Sequence, residues 1–170
     1  MRPALHVIAW PGPGRLATMA HPRGGALLAD EMAGLARAGV DVFVSALTWD
    51  EDRRLGLTEV AAAAAEAGIE FIPYPIADRG VPRPRDIAGD ADVVALGVRL
   101  AAHVRAGRFV VTQCFAGIGR STLLACATLV MLGVGAEQAL RLVTEARGLP
   151  VPDTEAQRHW LYRFAATHGG

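Results

Sequence analysis

The segment from residue 121 to residue 132 constrains the fold most, because it is apolar on all sides and carries no charge. A helix without a polar face has to be surrounded by other elements of a soluble protein. At twelve residues the segment is also shorter than the roughly 18 to 20 residues that a membrane span needs. We therefore predict a buried central helix here and no membrane span.

Strand-like and helix-like patterns alternate along the rest of the chain. Short β-branched apolar stretches predict strands at 6–9, 40–46, 69–74 and 109–112. Helical spacing predicts helices at 25–38, 57–67, 86–106, 121–132 and 137–147, and a last helix that begins at the capping-box pattern of residues 154–157. The alternation predicts an α/β fold with a central, mostly parallel sheet flanked by helices. Residues 76–86, rich in Pro and Arg, predict an exposed, mobile loop.

Length and composition limit what the chain can be. Its 170 residues, 52% of them hydrophobic, suffice for one core and not comfortably for two, so we expect a single domain over residues 1–170. With 17 basic and 17 acidic residues the net charge is zero, which argues against nucleic acid or an anionic membrane as a partner. Residues 1–10 lack a signal-peptide pattern, and two cysteines suggest neither a disulfide framework nor a zinc site. We expect a cytoplasmic protein that needs no metal.

Residues 109–121 carry the chemistry: Phe-Val-Val-Thr-Gln-Cys-Phe-Ala-Gly-Ile-Gly-Arg-Ser. They form a predicted strand, a loop of Cys, five residues and Arg, and the start of the central helix. The two glycines allow a tight loop whose N–H groups can meet an anion, and the helix N-terminus adds the positive end of its dipole. The same field favours the nucleophilic thiolate form of Cys114. Arg120 can offer a planar fork to two phosphate oxygens.

The loop therefore predicts a phosphate site with a cysteine nucleophile. Its predicted phosphate-binding residues are Phe115, Ala116, Gly117, Ile118, Gly119 and Arg120. The plain alternative is an ordinary strand-to-helix turn with a packed Cys114 and a surface Arg120. Cys126, inside the apolar helix, is expected to be a packed core thiol rather than a redox partner of Cys114.

Residues 114–121 resemble the signature loop of the protein tyrosine phosphatase superfamily, and the form Ala-Gly-x-Gly-Arg-Ser resembles its dual-specificity branch. Residues 75–82, Pro-Ile-Ala-Asp-Arg-Gly-Val-Pro, are similar to the general-acid loop of kinase-associated phosphatases. The resemblance extends over about residues 16–164. It implies a phosphatase that works through a cysteinyl-phosphate, without metal or organic cofactor, on a phosphorylated protein or a small phosphomonoester.

The resemblance also implies roles for single residues. Asp78 would protonate the leaving oxygen and then activate water, and Ser121 would stabilise the departing Cys114 thiolate, although Ser121 could simply cap the helix. Gln157 could position water, and a capping role explains it equally well. Glu51, in the loop predicted after the second strand, could support the Arg120 clamp, but we expect a solvated carboxylate. One departure is that Gln113 stands where the family has His.

The sequence is also compatible with other substrates and functions. The absence of Lys from the loop argues against a phosphoinositide, while Arg79, Arg83 and Arg85 could add positive charge or simply be solvated. A catalytically inactive module that reads phosphorylated partners is one alternative. Another is a different user of a cysteine anion loop, in sulfur transfer or arsenate reduction. Asp78 favours the phosphatase, and the oligomeric state is not set by these residues.

Overall fold

A twisted sheet of five strands lies at the centre of the computed structural model, which describes residues 2–83 and 93–169. The strands are β1 His6–Val7, β2 Arg15–Ala20, β3 Val42–Ser45, β4 Glu70–Pro73 and β5 Phe109–Cys114, in the spatial order β1-β2-β5-β3-β4. The four strands from β2 to β4 are parallel, and β1 joins β2 antiparallel at the edge. The predicted mostly parallel sheet is confirmed.

Helices cover both faces of this sheet. Within the described residues they are α1 Leu28–Arg37, α2 Trp49–Leu55, α3 Val60–Glu66, α4 Val93–Arg105, α5 Arg120–Met131, α6 Ala136–Arg147 and α7 Glu155–His168, with a short 3-10 turn at Gly25–Leu27. One core layer holds α1 and α3, and the other holds α4 to α7. No helix within this described part is long and apolar enough to cross a membrane.

The predicted central helix is confirmed as α5, whose residues from Arg120 to Val130 are all buried. It packs against α4, α6, α7 and the strand that precedes it. Its lack of a polar face follows from this position, since every side of the helix meets another element.

Side chains of β5 alternate between the two faces of the sheet, and this alternation sorts the residues of the site. Val110 and Cys114 lie in the layer of α5, while Phe109 and Val111 lie in the layer of α1. Because β2, β3, β4 and β5 are parallel, the segments that follow them meet at one edge. The loop after Cys114 lies at this edge.

Three elements differ from the predictions. β2 was not predicted, because residues 16–19 are buried on both faces and therefore lack the apolar-polar alternation of a half-buried strand. The predicted strand at 6–9 exists only as the short edge strand β1. The predicted loop after the second strand is instead helix α2, which begins at a capping box formed by Thr48 and Glu51.

The segment after β4 lacks regular structure where it is described, and its predicted mobility stays a prediction. Residues 76–83 contain no helix or strand, as expected of the loop. The remainder of the predicted loop, residues 84–86 with Arg85, lies outside the described residues. So does the beginning of the helix predicted from residue 86, which is described from Val93 onward.

Candidate active site

The loop between β5 and α5 turns its carbonyl groups outward. Protein donors outside the loop bind four of these oxygens: the His21 N–H binds Phe115 (3.3 Å), the Leu123 N–H binds Gly119 (3.1 Å), and the Arg147 guanidinium binds Ala116 (Nη2, 3.4 Å) and Gly117 (Nε, 3.2 Å). In a trans peptide the N–H points opposite to the C=O, so the following N–H groups face the inside of the loop. Among the described residues, those of Ala116, Gly117 and Ile118 donate to no protein acceptor. Such a row of free donors suits an oxyanion.

Cys114 lies at the base of this loop, 3% exposed, where β5 ends. Its Sγ is 3.2 Å from the Oγ of Ser121, a residue in the first turn of α5. The Ser121 carbonyl in turn accepts a hydrogen bond from the Thr112 hydroxyl at 2.8 Å. The structure thus brings the predicted nucleophile and the predicted thiolate-stabilising hydroxyl into contact at the helix N-terminus.

Arg120 is clamped by Glu51, which corrects our expectation of a solvated carboxylate. The two guanidinium nitrogens Nη1 and Nη2 donate to Oε1 and Oε2 of Glu51 at 2.7 and 2.8 Å, a bidentate pair. Nη1 also donates to the carbonyl of Ile76 at 2.8 Å. Arg120 is 2% exposed and Glu51 is 5% exposed, so the pair is buried.

The two charges of this pair stabilise one another. Burial alone would raise the pKa of Glu51, but hydrogen bonds from Arg120 and Thr48, with the charge of Arg120, lower that pKa to about 2. Burial opposes the charge of Arg120 as well, and the hydrogen bonds and charge of Glu51 outweigh it and raise the pKa of the guanidinium. Glu51 therefore stays anionic and keeps the clamp charged over the neutral pH range.

Asp78 meets the same guanidinium from the solvent side. Its Oδ1 is 3.3 Å from Nη2 of Arg120, and its side chain is 73% exposed. The turn that carries it is closed by the Gly80 N–H, which donates to the Ala77 carbonyl at 2.7 Å. The structure thus places Asp78 next to Arg120, at the exposed entrance to the site.

Gln157 is fully buried and uses both ends of its amide. Oε1 accepts the Thr154 N–H at 3.2 Å, which completes the capping box of α7, and Nε2 donates to the Gly80 carbonyl at 3.0 Å. A Cβ placed on Gly119 would lie 3.0 Å from this Nε2. Gln157 therefore connects α7 to the Asp78 segment and lies close to the Cys114 loop, and its water-positioning role stays a prediction.

The other predicted residues occupy three different surroundings. Phe115 is exposed at the edge of the loop, with its ring centroid 5.2 Å from that of His21. Gln113 is buried and its Nε2 hydrogen-bonds to the Ser45 hydroxyl on the neighbouring strand. Cys126 is a core thiol, and burial raises its pKa.

Arg79 and Arg83 are exposed, and Arg79 adopts a positive φ of 59° directly after Asp78. No group of three or more His, Cys, Asp or Glu side chains that could hold a metal ion occurs within residues 2–83 and 93–169. The metal-free mechanism stays an expectation.

Two residues, Glu51 and Arg147, contact the site although the sequence predicts neither contact. Glu51 carried a usable signal, because Thr48 and Glu51 fit the pattern that opens a helix and fixes a Glu at its third position. Arg147 gave no such signal, since it lies 30 residues beyond the loop that it contacts. Only the packing of α6 brings the two together.

The sequence matches no protein-family model and no curated protein. Its structure matches solved phosphatases over nearly the whole chain. A kinase-associated phosphatase with its catalytic-site cysteine substituted by serine is 19% identical, with a TM-score of 0.80 over 98% of this chain and 96% of that chain. Tk-PTP in its active form is 25% identical, with a TM-score of 0.69 over 92% and 98%. Human DUSP28 is 22% identical, with a TM-score of 0.63 over 98% and 96%.

These matches agree with the family resemblance of residues 75–82 and 114–121. The single α/β unit, the mostly parallel five-stranded sheet and the strand, loop and buried helix are shared with solved phosphatases of this kind. The chain therefore has the dual-specificity-like fold of the protein tyrosine phosphatase superfamily.

Proposed function

We propose that residues 1–170 form a single cysteine-dependent phosphomonoesterase domain that dephosphorylates phosphorylated proteins or small phosphomonoesters. One observation carries the proposal: the Cys114 thiol, the Arg120 guanidinium and the Asp78 carboxyl lie at one edge of the sheet, beside free N–H groups of the connecting loop. These are the nucleophile, the charge clamp and the acid that phosphoryl transfer without a metal requires.

In the first step the Cys114 thiolate attacks phosphorus and the ester P–O bond breaks. The loop N–H groups and Arg120 bind the non-bridging oxygens as charge spreads over them. Asp78, exposed at the entrance, acts as the general acid and gives a proton to the leaving oxygen, so an alcohol or phenol departs. The product is a cysteinyl-phosphate and an ionised Asp78.

In the second step water attacks the cysteinyl-phosphate. Asp78 takes a proton from that water, the S–P bond breaks, and inorganic phosphate and the Cys114 thiolate are formed. The Ser121 hydroxyl, 3.2 Å from Sγ, is placed to donate a hydrogen bond to the thiolate as it leaves. The cycle needs a reduced thiol, which fits a cytoplasmic location.

Glu51 serves this cycle indirectly. It binds the outer nitrogens of Arg120 and fixes the plane of the guanidinium before substrate arrives, which lowers the cost of ordering a long side chain. We propose Glu51 as a positioning residue. Its negative charge is already neutralised by Arg120, so it adds little repulsion toward phosphate.

The proposal is tested by hydrolysis of a small aryl phosphate in chelator and reductant. Cys114→Ser and Arg120→Ala are each expected to abolish turnover. Asp78→Ala is expected to lose most activity on esters whose leaving group is poor, because those need the proton. Arg141, exposed on α6, supplies a control: Arg141→Ala should keep wild-type turnover.

Absence of wild-type turnover would overturn the hydrolase. If phosphate or vanadate still bound in that case, the chain would be a phosphate-binding module without catalytic activity. Gln113 stands where the family has His, so Gln113→His would then be the first variant to make.

A further inference from the structure

Arg147 is the last residue of α6, and its side chain reaches the outside of the Cys114 loop. Its Nε donates to the Gly117 carbonyl at 3.2 Å and its Nη2 donates to the Ala116 carbonyl at 3.4 Å. In the part of the chain that is described, Arg147 forms no salt bridge with a carboxylate. Its hydrogen bonds therefore go to the loop.

Those two carbonyls determine where two loop N–H groups point. The Ala116 carbonyl shares a peptide plane with the N–H of Gly117, and the Gly117 carbonyl shares one with the N–H of Ile118. Because both peptides are trans, a carbonyl held outward by Arg147 turns the paired N–H inward. Arg147 thus acts on donors of the proposed phosphate site without touching phosphate.

The loop needs this restraint by Arg147 because of Gly117. It has a φ of +70°, and a glycine tolerates either sign of φ, so the peptides on its two sides can rotate at low cost. A rotated peptide would present a carbonyl oxygen to the anion in place of an N–H. A partly buried guanidinium that binds both carbonyls opposes that rotation.

We propose that Arg147 is a positioning residue that holds the peptides on either side of Gly117 in the orientation that binds an oxyanion. The proposal rests on the proposed phosphate site and goes beyond it by assigning part of the site's geometry to α6. It does not require the chain to turn over substrate.

The experiment measures anion binding without hydrolysis. Iodoacetamide is expected to alkylate Cys114, and inorganic phosphate should protect the thiol, so the phosphate concentration that halves the alkylation rate reports the affinity of the loop. Arg147→Ala is expected to raise that concentration about tenfold, and Arg147→Lys to raise it less, because an ammonium can bind one carbonyl but lacks the fork. The matched control is Arg141→Ala, which removes an arginine from the same helix and should behave as wild type.

Folding is checked in each variant by its thermal midpoint. A loss of phosphate affinity at a midpoint within a few degrees of wild type supports positioning, because a purely structural role would move the midpoint and leave affinity alone. Phosphate protection within twofold of wild type in folded Arg147→Ala overturns the proposal. If Arg147→Ala does not fold, Arg147→Lys decides by the same twofold limit.

The outcome separates this inference from the proposed enzyme. If phosphate protects the wild-type thiol but the protein does not hydrolyse aryl phosphates, the proposed hydrolase is overturned. The role of Arg147 is then still decided by phosphate protection in wild type and in the Arg147 variants. If the wild type hydrolyses aryl phosphates and the Arg147 variants keep wild-type phosphate protection, the hydrolase stands and the positioning role of Arg147 is overturned. Wild-type protein that phosphate does not protect at all would overturn the positioning role, because there would be no anion site to position.

Discussion

Glu51 and Arg120 form a buried ion pair whose partners depend on one another. Removing one member of such a pair leaves an uncompensated charge and typically costs about 3 to 5 kcal/mol. We expect Glu51→Gln to lower the free energy of unfolding at pH 7 by roughly 3 kcal/mol and to reduce kcat/KM on aryl phosphate at least tenfold. Denaturant titration and initial rates measure the two effects. Glu66→Gln, at an exposed position on α3, should change neither.

The same variant has a defined pH dependence. The pKa of Glu51 falls from 4.5 to about 2 on folding, so its contribution is complete above pH 4.5 and is lost as the pH falls through about 2. The unfolding free energies of wild type and Glu51→Gln should therefore converge as the pH is lowered through this window. A constant difference from pH 7 to pH 2 would contradict the assigned pKa.

At the scale of elements, the Cys114 loop lies directly against β2. A Cβ on Gly117 would lie 2.7 Å from the Ala20 nitrogen and 2.7 Å from the Met19 carbonyl carbon, both backbone atoms that cannot rotate away. Gly68 has a similar φ, +79° against +70°, and open space around it. Both Gly→Ala changes thus carry the left-handed strain, and only one adds a collision.

We expect Gly68→Ala to cost about 1 kcal/mol and to leave phosphate protection of Cys114 unchanged. Gly117→Ala should cost more and weaken phosphate protection at least tenfold, because β2 forces the loop to move. Thermal melts and the alkylation assay compare the two. Equal stability losses in the two variants would show that the contact with β2 is not tight.

Helix α2 also carries Asp52, whose carboxyl group is costly to ionise in the folded chain. Burial and, to a smaller degree, the charge of Glu51 raise the pKa of Asp52 from 3.8 to about 6, and among the described residues its buried Oδ1 has no hydrogen-bond partner. Between pH 3.8 and about 6 the folded chain keeps the Asp52 proton that the unfolded chain has released. The free energy of unfolding therefore declines as the pH rises through this range.

Asp52→Asn should relieve this cost only where the carboxylate is charged. We expect about 1 kcal/mol of added stability at pH 8, with the gain disappearing near pH 4, by denaturant titration at each pH. Asp50→Asn on the same helix is the control, because the Asp50 side chain is 80% exposed and its ion pair with Arg53 lies at the surface. A gain that is equal at both pH values would contradict the assigned pKa.

The elements that the sequence predicted are those with a strong local pattern. α5 has a continuous apolar run, and β5 is β-branched and leads into a glycine loop, so both were found. β2 was missed because a strand buried on both faces has no alternation to detect. α2 was missed because seven residues are too few to establish a helical period. The burial of Glu51 is a tertiary property, set when α2 packs beneath Arg120.

At the scale of the whole molecule, the site is assembled from segments that are far apart in the chain. α2 contributes Glu51, the segment after β4 contributes Asp78, α6 contributes Arg147 and α7 contributes Gln157, all around the loop that follows β5. An anion bound in that loop is therefore coupled to the packing of elements on both sides of β5. Unfolding any of them should release the anion.

This coupling predicts that phosphate stabilises the entire fold. A ligand that binds only the folded state adds RT ln(1 + [L]/Kd), about 2.7 kcal/mol at a hundredfold excess over Kd. The net charge of the chain is zero, so diffuse attraction of anions is weak and any stabilisation should be local. We expect the thermal midpoint to rise with phosphate concentration, relative to chloride at equal ionic strength, in wild type and in Arg141→Ala. Arg120→Ala should lose the rise, and a rise that persists in Arg120→Ala would place the bound phosphate somewhere other than the Cys114 loop.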